Sequence, residues 1–533
     1  MKKVSKRVKG LLLFLAAVVV AAAVAGGVHS FAASSTYTEG YLTYTAENGE
    51  ATITKCDPSI SGDFVIPEEL GGYPVTKIGQ RAFKWCRMTS VKIPSGVTSI
   101  GYEAFYNCIR LTSVEIPSSV TSIGERSFMA CGHLTSIKIS EGVRSIGQYA
   151  FADCIGLASV KIPEGVNMID GWAFSGCTGL TSIEFPSSVT SIGEQAIGSC
   201  TSLTSIHVNE ENLIYHSEGN CLIETKTKKL IAGCKTSMIP SDGSVTSIGA
   251  RAFIGCTGLA SLEVPNGMIS IGNGAFYKCS GLTSIELPSS VISIGNMAFE
   301  YCSSLISFEI PAGVTILDSS AFAYCSSMTS IKIPPRVSLI KSCAFLGCTS
   351  LTSLELPTSV TRIEDTAFFG CVNLISAKLP NVQKIGIMPL GGCANLEEIT
   401  LPFGSKTLSS YFDENGVPTS LKKVVVVRGA TIVDRAFADC SQLTSIELPS
   451  SVTAIGDSAF EGCSNLEEIT LPLCGKTLTS YFGAEGTPTS LKKVTVVGDT
   501  TLADRAFADC SQLTSIVLPS DLTAIGESAF DGC

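Results

Sequence analysis

The sequence predicts a mostly β solenoid in which coils of about 23 residues stack along one axis. A phenylalanine and a cysteine return together every 23 residues, as in Phe276/Cys279 and Phe299/Cys302. Short segments of alternating apolar residues flank each pair, which is typical of strands. Between them there is room for about two helical turns at most, so we expect few or short helical turns. Such a unit cannot bury its apolar face alone, and stacked units therefore replace a globular core.

Residues 1–33 have the layout of a secretory signal peptide. Several cations precede an apolar run from Leu11 to about Val28, and small residues follow at Ser30 and Ala32. The run is about 18 residues long, at the lower limit for crossing a bilayer, so an uncleaved anchor stays open as an alternative. Either outcome predicts that the repeats are secreted or held at the cell surface.

The charge of the chain argues against anionic partners. Removal of the leader takes five of 37 basic residues and leaves 32 against 47 acidic residues, which changes the formal charge from −10 to −15. Phosphate backbones and anionic lipids repel such a chain. We therefore expect no nucleic acid partner and no membrane contact beyond the leader.

One unit, residues 281–302, illustrates the expected roles within a coil. Residues 282–287 alternate apolar and polar side chains as a first strand, and Pro288 ends it because proline has no amide donor for the ladder. Residues 291–294 form a second strand. Gly295 follows it, and we expect this glycine to provide a positive φ for a turn.

Three regions depart from the 23-residue period. Residues 34–75 are strand-like but off-register, and we expect them to cap the first open end of the solenoid. Ordinary repeats occupy 76–200 and 257–393, and residues 201–256 between them contain an insertion, predicted as a protruding hairpin. Residues 394–533 form two near-copies of 70 residues, each with one enlarged coil. We expect the array to be incomplete at its C-terminal end.

Seventeen of the 22 cysteines occupy one column of the repeat. Buried free thiols are favoured, since cysteine is a small hydrophobe and an odd-numbered column cannot pair completely within itself. Disulfides between neighbouring coils stay open, because the spacing of strands does not prevent them. No Cys-x-x-Cys pair supplies ligands for a tetrahedral metal site, and no cofactor is expected.

The unit resembles the BspA-like, or Treponema-type, leucine-rich repeat of bacterial surface proteins over roughly residues 60–533. The recurring positions are, in one example, Pro357, Ile363, Ala367, Phe368 and Cys371. One departure is Glu364, where glycine is usual. The resemblance implies an exported solenoid for adhesion to host proteins, host cells or other bacteria, with no catalytic residues.

The sequence gives little support to the hypothesis that the protein is an enzyme. Only three histidines follow the leader, His133, His207 and His216, and no cluster of nucleophile, base and metal ligands can be assembled around them. A hydrolase is kept as a minor alternative.

Two surfaces are candidates for partner binding. The first is the outward column of the first strand: Glu263, Glu286, Glu309, Lys332, Glu355 and Lys378. The first three of these charges repel one another, while the last four alternate in sign and attract. Solubility is the simpler explanation of this column.

The second set comprises aromatic and polar residues on irregular segments: Tyr215, His216, Tyr411, Phe412, Tyr481 and Phe482. Exposed aromatics on loops are typical interface anchors. We expect a monomer that binds an extracellular protein or cell-surface ligand. A structural spacer within a larger wall protein is the alternative, and a Thr-Ser array for a crystalline surface is a minor one.

Overall fold

The computed structural model describes residues 35–402 and 406–533, and the leader predicted over residues 1–33 lies outside this range. The described chain winds through successive coils, each with a longer strand, a shorter strand and a return turn. Within these residues the helices are three short 3₁₀ segments, Leu408–Tyr411, Leu478–Tyr481 and Gly483–Glu485. The predicted fold class, a mostly β leucine-rich repeat solenoid with few helical turns, is confirmed.

The longer strands form parallel ladders on one side, here called the long-strand face. Up to the hairpin insertion they are Ser61–Val65, Arg87–Lys92, Ser113–Ile116, Ser136–Ile139, Ser159–Lys161, Ser182–Phe185 and Ser205–Val208. Beyond it they are Ser261–Glu263, Ser284–Glu286, Ser307–Glu309, Ser330–Lys332, Ser353–Glu355, Ser376–Lys378, Glu398–Pro402, Lys423–Arg428, Ser445–Glu447, Glu468–Leu471, Lys493–Val496 and Ser515–Val517. Equivalent residues of neighbouring coils lie in register, as Glu309 and Lys332 do.

The shorter strands form a second set of parallel ladders, the short-strand face. The first ladder contains Tyr73–Ile78, Ser99–Ile100, Ser122–Ile123, Ser145–Ile146, Met168–Ile169 and Ser191–Ile192. The later ladders contain Lys229–Ala232, Ser247–Ile248, Ser270–Ile271 and Ser293–Ile294, then Ile316–Leu317, Leu339–Ile340, Arg362–Ile363 and Lys384–Ile385, then Thr431–Ile432 and Ala454–Ile455, and last Thr501–Leu502 and Ala524–Ile525.

The return turn forms the third side, the return-turn face, and its backbone differs from the expectation. Met297 and Tyr301 have φ values of 57° and 62°, whereas Gly295 lies outside the left-handed region. The prediction for Gly295 is therefore wrong. A Cβ added there would lie 2.7 Å from the backbone nitrogen of Asn273 in the preceding coil, so the glycine is required by close approach between coils.

Hydrogen bonds between coils stabilise these strained turns. The backbone amides of Met297, Phe299 and Tyr301 donate to carbonyl groups of the next coil at 3.0, 2.8 and 2.9 Å. A left-handed backbone costs an ordinary residue roughly 1–2 kcal/mol, which these bonds offset. Because the backbone is held from both sides, the left-handed positions carry side chains as different as those of Trp172, Arg251 and Met297.

Stacked phenylalanines fill the core beneath the return turns. The rings of Phe276 and Phe299 have centroids 5.1 Å apart and planes 6° apart, and both side chains are fully buried. Full burial of one such side chain contributes about 1.5–3 kcal/mol. Ile197 and Leu390 replace phenylalanine in two coils, and both side chains are apolar and buried as well.

The cysteine column has a hydrogen-bonding role that the sequence did not reveal. The thiol of Cys302 donates to the carbonyl oxygen of Phe276 at 3.2 Å, and Cys325 makes the same bond to Phe299. All 22 cysteines are free thiols, as favoured from the sequence. Burial raises the pKa of the Cys302 thiol to about 12, so it stays protonated and can donate.

Antiparallel strands occur at two places. At the N-terminal end Thr36–Glu39, Leu42–Glu47 and Glu50–Cys56 pair antiparallel, Glu50–Cys56 then pairs in parallel with Tyr73–Ile78, and Glu69–Leu70 pairs with that strand. In the insertion Tyr215–Glu218, Cys221–Glu224 and Lys229–Ala232 form a meander.

This hairpin does not protrude, so that prediction is wrong. Leu222 packs into the core cluster of the N-terminal coils, whereas Ile223 and Leu230 pack into the cluster of the C-terminal coils. The strand Cys221–Glu224 is apolar on both faces and is buried on both. The insertion therefore lies at the junction between the two hydrophobic cores.

Candidate binding surface

The structure corrects the predicted aromatic anchors of the enlarged coils. Tyr411 and Phe412 are 4% and 3% exposed, and Tyr481 and Phe482 are 0% and 2% exposed. The 3₁₀ helices Leu408–Tyr411 and Leu478–Tyr481 each take the place of a return turn. The backbone amides of Leu390 and Phe460 donate to the carbonyl oxygens of Tyr411 and Tyr481 at 3.1 and 2.9 Å. The aromatic pair thereby enters the core in place of the phenylalanine column. Phe482 packs against Phe460 with ring centroids 5.6 Å apart.

The predicted hairpin residues are placed similarly. Tyr215 is buried, and its hydroxyl oxygen accepts a hydrogen bond from the amide of Ile192 at 3.2 Å. The ring closes the first core where that ladder of short strands ends. His216 is half-buried, and its Nδ1 lies 2.8 Å from Oγ1 of Thr225 within the hairpin. Neither side chain is arranged as an exposed anchor.

The outward column of the long-strand face is exposed, and its charges interact largely with one another. The ammonium of Lys332 lies 2.6 Å from the carboxylate of Glu309, and Lys378 lies 3.8 Å from Glu355. Glu263 is directly in register with Glu286. Like charges directly opposite one another repel, and the negative charge that these two carboxylates give the face opposes its association with another acidic surface.

The tryptophan and tyrosine residues of the repeats that are exposed or half-buried concentrate on the return-turn face, where three are exposed and five are half-buried. Both tryptophans of the chain and six of its 13 tyrosines lie in return turns: Trp85, Tyr102, Tyr106, Tyr149, Trp172, Tyr277, Tyr301 and Tyr324. Trp85 is 56% exposed, and Tyr301 and Tyr324 are each 38% exposed.

A buried carboxylate organises the N-terminal end of this face. Glu103 is 6% exposed and accepts hydrogen bonds from Arg81 at 2.8 Å and from Lys84 at 2.7 Å. Burial opposes ionisation of this carboxyl, but the bonds from Lys84 and Arg81 outweigh it and lower its pKa to about 2. Glu103 therefore remains charged and fixes both cations.

Two cations of this face, Lys84 and Arg126, each lie close to two aromatic rings. Lys84 Nζ is 4.6 Å from the ring centroid of Trp85 and 4.7 Å from that of Tyr106. The guanidinium of Arg126 lies 5.2 Å from the ring of Tyr149 and donates to the hydroxyl of Tyr102 at 2.8 Å. Each cation–π contact contributes about 0.5–1 kcal/mol at an exposed site and holds the rings in place.

The face continues past the hairpin without interruption. The amide of Ser199 donates to the carbonyl oxygen of Ile254 at 3.0 Å, and Arg251 pairs with Glu194 at 3.0 Å, although 57 residues separate this last pair in sequence. Return turns from both cores therefore stack directly. Tryptophan and tyrosine residues occur along this stack from Trp85 to Tyr324, and the return turns at 124–131, 193–200 and 249–256 carry neither.

Sequence reasoning missed this surface, although a signal was present. The eight aromatic residues all lie between the Ile-Gly dipeptide and the following cysteine, or at the corresponding positions of their coil. Sorting tryptophan and tyrosine by position in the repeat would have separated them from the buried columns.

The described residues contain no group of three or more His, Cys, Asp or Glu side chains placed to hold a metal ion. In the same part of the chain, none of the helices has the length and hydrophobicity needed to cross a membrane.

Comparison with known proteins identifies the family of the repeats. A family model described as BspA type leucine rich repeat region matches residues 76–204, 123–239, 227–345, 315–429 and 419–533. A leucine-rich cell surface protein from Faecalibacterium prausnitzii is 32% identical, with 66% of this chain and 94% of that chain covered and a TM-score of 0.48.

Two further solved structures are more distant. A leucine-rich repeat protein from Bacteroides ovatus is 24% identical, with 93% of this chain and 92% of that chain covered and a TM-score of 0.32. The pneumococcal vaccine antigen PcpA is 18% identical, with 80% and 94% covered and a TM-score of 0.39. Comparison with curated proteins gives no match.

Proposed function

The chain belongs to the BspA-type leucine-rich repeat family, and we propose that it is an exported, non-enzymatic protein that binds a protein on a neighbouring cell or in its surroundings through the return-turn face. The expected leader and the relative named as a cell surface protein support a surface location. Binding of an extended partner requires a continuous surface, which stacked return turns supply.

The observation that carries the proposal is the concentration of tryptophan and tyrosine on one face. These two residue types are enriched among the residues that dominate binding energy at protein interfaces, where truncation of a single anchor costs about 2 kcal/mol or more. Glu103 fixes Lys84 and Arg81, and Lys84 in turn contacts the ring of Trp85. Fewer side-chain rotations are then lost when a partner binds.

The long-strand face has the opposite character. Lys332 and Lys378 already pair with glutamates of adjacent coils, and such exposed pairs contribute only about 0–1 kcal/mol each. The threonine hydroxyls bond inward, as that of Thr112 donates to the carbonyl oxygen of Thr89 at 2.9 Å. A hydroxyl array that binds a crystalline surface needs free donors, and on this face main-chain carbonyl groups already accept from the threonine hydroxyls. This face supports solubility better than recognition.

Paired double variants test the proposal. We expect Trp85→Ala with Tyr106→Ala to weaken saturable binding of the purified chain to extracellular matrix proteins or intact cells by at least about 10-fold. The matched control, Glu309→Ala with Lys332→Ala, should change it less than about 2-fold. Circular dichroism and thermal unfolding establish that both variants are folded.

Three results would contradict the proposal. Equal loss in both variants would place binding elsewhere, and loss in the control alone would favour the long-strand face. A folded wild-type chain that binds none of these ligands would favour the spacer function.

A further inference from the structure

We propose that the return-turn face carries a groove for a neutral oligosaccharide beside the junction of the two cores. The groove has a volume of about 340 Å³ and is lined by Trp172, Gln195, Arg251, Asn273, Tyr277 and Met297. The assignment adds a ligand class to the proposed binding face and rests on that face being the recognition surface.

The groove exists because one left-handed position lacks a side chain. Trp172, Arg251 and Met297 occupy equivalent positions in their coils, with φ values of 59°, 54° and 57°. Gly274 occupies this position in the coil between Arg251 and Met297, with a φ of 58°. Its missing side chain leaves a depression in an otherwise filled column, and the side chain of Tyr277 lies along it.

Two aromatic rings at the groove are held by their neighbours. Trp172 stacks on Tyr149 with centroids 5.1 Å apart and planes 15° apart. Tyr277 contacts Tyr301 edge to face at 5.8 Å. Tyr149 does not line the groove, which lies toward the later coils and therefore on the other side of Trp172. A rigid, partly exposed aromatic ring suits the apolar C–H face of a pyranose, because little side-chain entropy is lost on stacking.

Polar groups at the groove match the hydroxyls of a sugar. Gln195 offers an amide that can donate and accept, and Arg251 offers planar N–H donors. Asn273 offers its amide N–H donors, because its Oδ1 already accepts a hydrogen bond from the backbone amide of Asn296 at 3.0 Å. An apolar surface with a few convergent polar groups is the usual composition of a small-ligand site, and the volume lies within the usual range of about 300–1,000 Å³.

Charge favours a neutral ligand over an acidic one. The cation at the groove, Arg251, already pairs with Glu194 at 3.0 Å. The chain as a whole carries a formal charge of −10, so a sulfated or sialylated glycan would be repelled over most of its approach. The pairing leaves Arg251 able to donate to hydroxyls but without an excess positive charge.

A filling substitution tests the groove without removing any lining side chain. Gly274→Met restores the side chain that Met297 shows to be compatible with this backbone, and the added Cβ would lie 3.2 Å from Cγ of the flexible Arg251 side chain. The matched control is Ser320→Met, at the same column position with a φ of 56° and outside the groove. Both variants should fold, which thermal unfolding checks.

The probe is a panel of immobilised neutral oligosaccharides built from glucose, galactose and N-acetylhexosamines. Sialylated glycans, sulfated glycans and a proline-rich peptide are the comparison ligands. We expect the wild-type chain to bind at least one neutral oligosaccharide saturably. Gly274→Met should weaken that binding at least 10-fold, and Ser320→Met less than 2-fold. In a Trp85→Phe background Trp172 is the single tryptophan, and its fluorescence should shift on binding of the same oligosaccharide.

The contrary results distinguish a failure of the glycan assignment from a failure of the proposed function. If cells or matrix proteins bind but no neutral oligosaccharide does, the glycan assignment is overturned and the recognition face stands. Preference for acidic glycans, binding of the proline-rich peptide alone, or equal binding by Gly274→Met would also overturn it. A folded chain that binds neither cells, matrix proteins nor glycans would contradict both proposals.

Discussion

The long-strand face and the return-turn face are built from the same coils, yet they carry different chemistry. On the long-strand face, ladder geometry brings equivalent residues into register, so charges such as Glu309 and Lys332 pair between coils. On the return-turn face, left-handed positions project varied side chains, including Trp172 and Arg251, from a backbone held on both sides. A strict ladder therefore repeats one chemistry along a face, whereas the return turns place aromatic rings and cations next to one another, as Lys84 lies beside Trp85.

The largest expected effect concerns aromatic residues that belong to neither face. Phe482→Ala removes a buried ring that packs on Phe460, so we expect a loss of about 3–5 kcal/mol in the free energy of unfolding. Chemical denaturation, with hydrogen exchange of the C-terminal coils as the readout, measures this loss of stability. An unchanged midpoint would restore the original interpretation of this residue as a surface anchor.

The next effect concerns the joint between the short-strand and return-turn faces. An added Cβ at Gly272 would lie 2.6 Å from the backbone nitrogen of Ala250, and the backbone cannot move away easily. We expect Gly272→Ala to destabilise the chain by about 2–3 kcal/mol, within the range for overpacking. The control Gly267→Ala has open space and only a positive φ of 91°, so it should cost about 1 kcal/mol in the same thermal unfolding experiment.

The buried carboxylate of the return-turn face predicts a pH-dependent effect. Because the folded pKa of Glu103 is about 2, its stabilisation is fully present above its ordinary pKa of 4.5 and is lost as pH falls toward 2. Glu103→Gln should cost about 1–2 kcal/mol at pH 7, where hydrogen bonds to a charged group are lost.

The difference in melting temperature between wild type and Glu103→Gln should therefore shrink between pH 4.5 and pH 2. A difference that does not change with pH over this interval would mean that the carboxylate charge does not stabilise Arg81 and Lys84. A larger difference at low pH would reverse the sign and contradict the assignment.

The smallest effect is expected on the long-strand face. The side chains of Lys332 and Glu309 are 75% and 71% exposed, so their ion pair is screened by water and salt. Glu309→Ala should change the free energy of unfolding by at most about 1 kcal/mol, with less effect in 1 M salt. A loss as large as that of Glu103→Gln would abolish the contrast between the two faces.

Much of the fold follows directly from the period. The positions of strands, the buried phenylalanine column and the free thiols were predicted, because each depends on a residue that repeats in every coil. Tyr411 and Phe412 were misplaced because they break the period, and a residue outside the pattern was taken to lie outside the core. In fact the 3₁₀ helix returns both rings to the core.

The candidate site was predicted less well for a physical reason. The outward column was correctly placed on the exposed side of the strands, since alternation alone decides which way a strand residue points. Its role in binding stays a prediction. The direction of Trp85 or Tyr301 depends on turns with left-handed φ values that no alternation reveals.

The sequence by itself determined the coil length, the strand ladders, the core columns and the acidic character of the surface, because these are sums or repeats of local properties. Tertiary structure alone decided that Ser199 and Ile254 adjoin across the hairpin, that Glu103 holds two cations from the preceding coil, and that Gly274 opens a groove. Those features arise from contacts between coils, and the register of stacking, rather than the composition of any one coil, sets them.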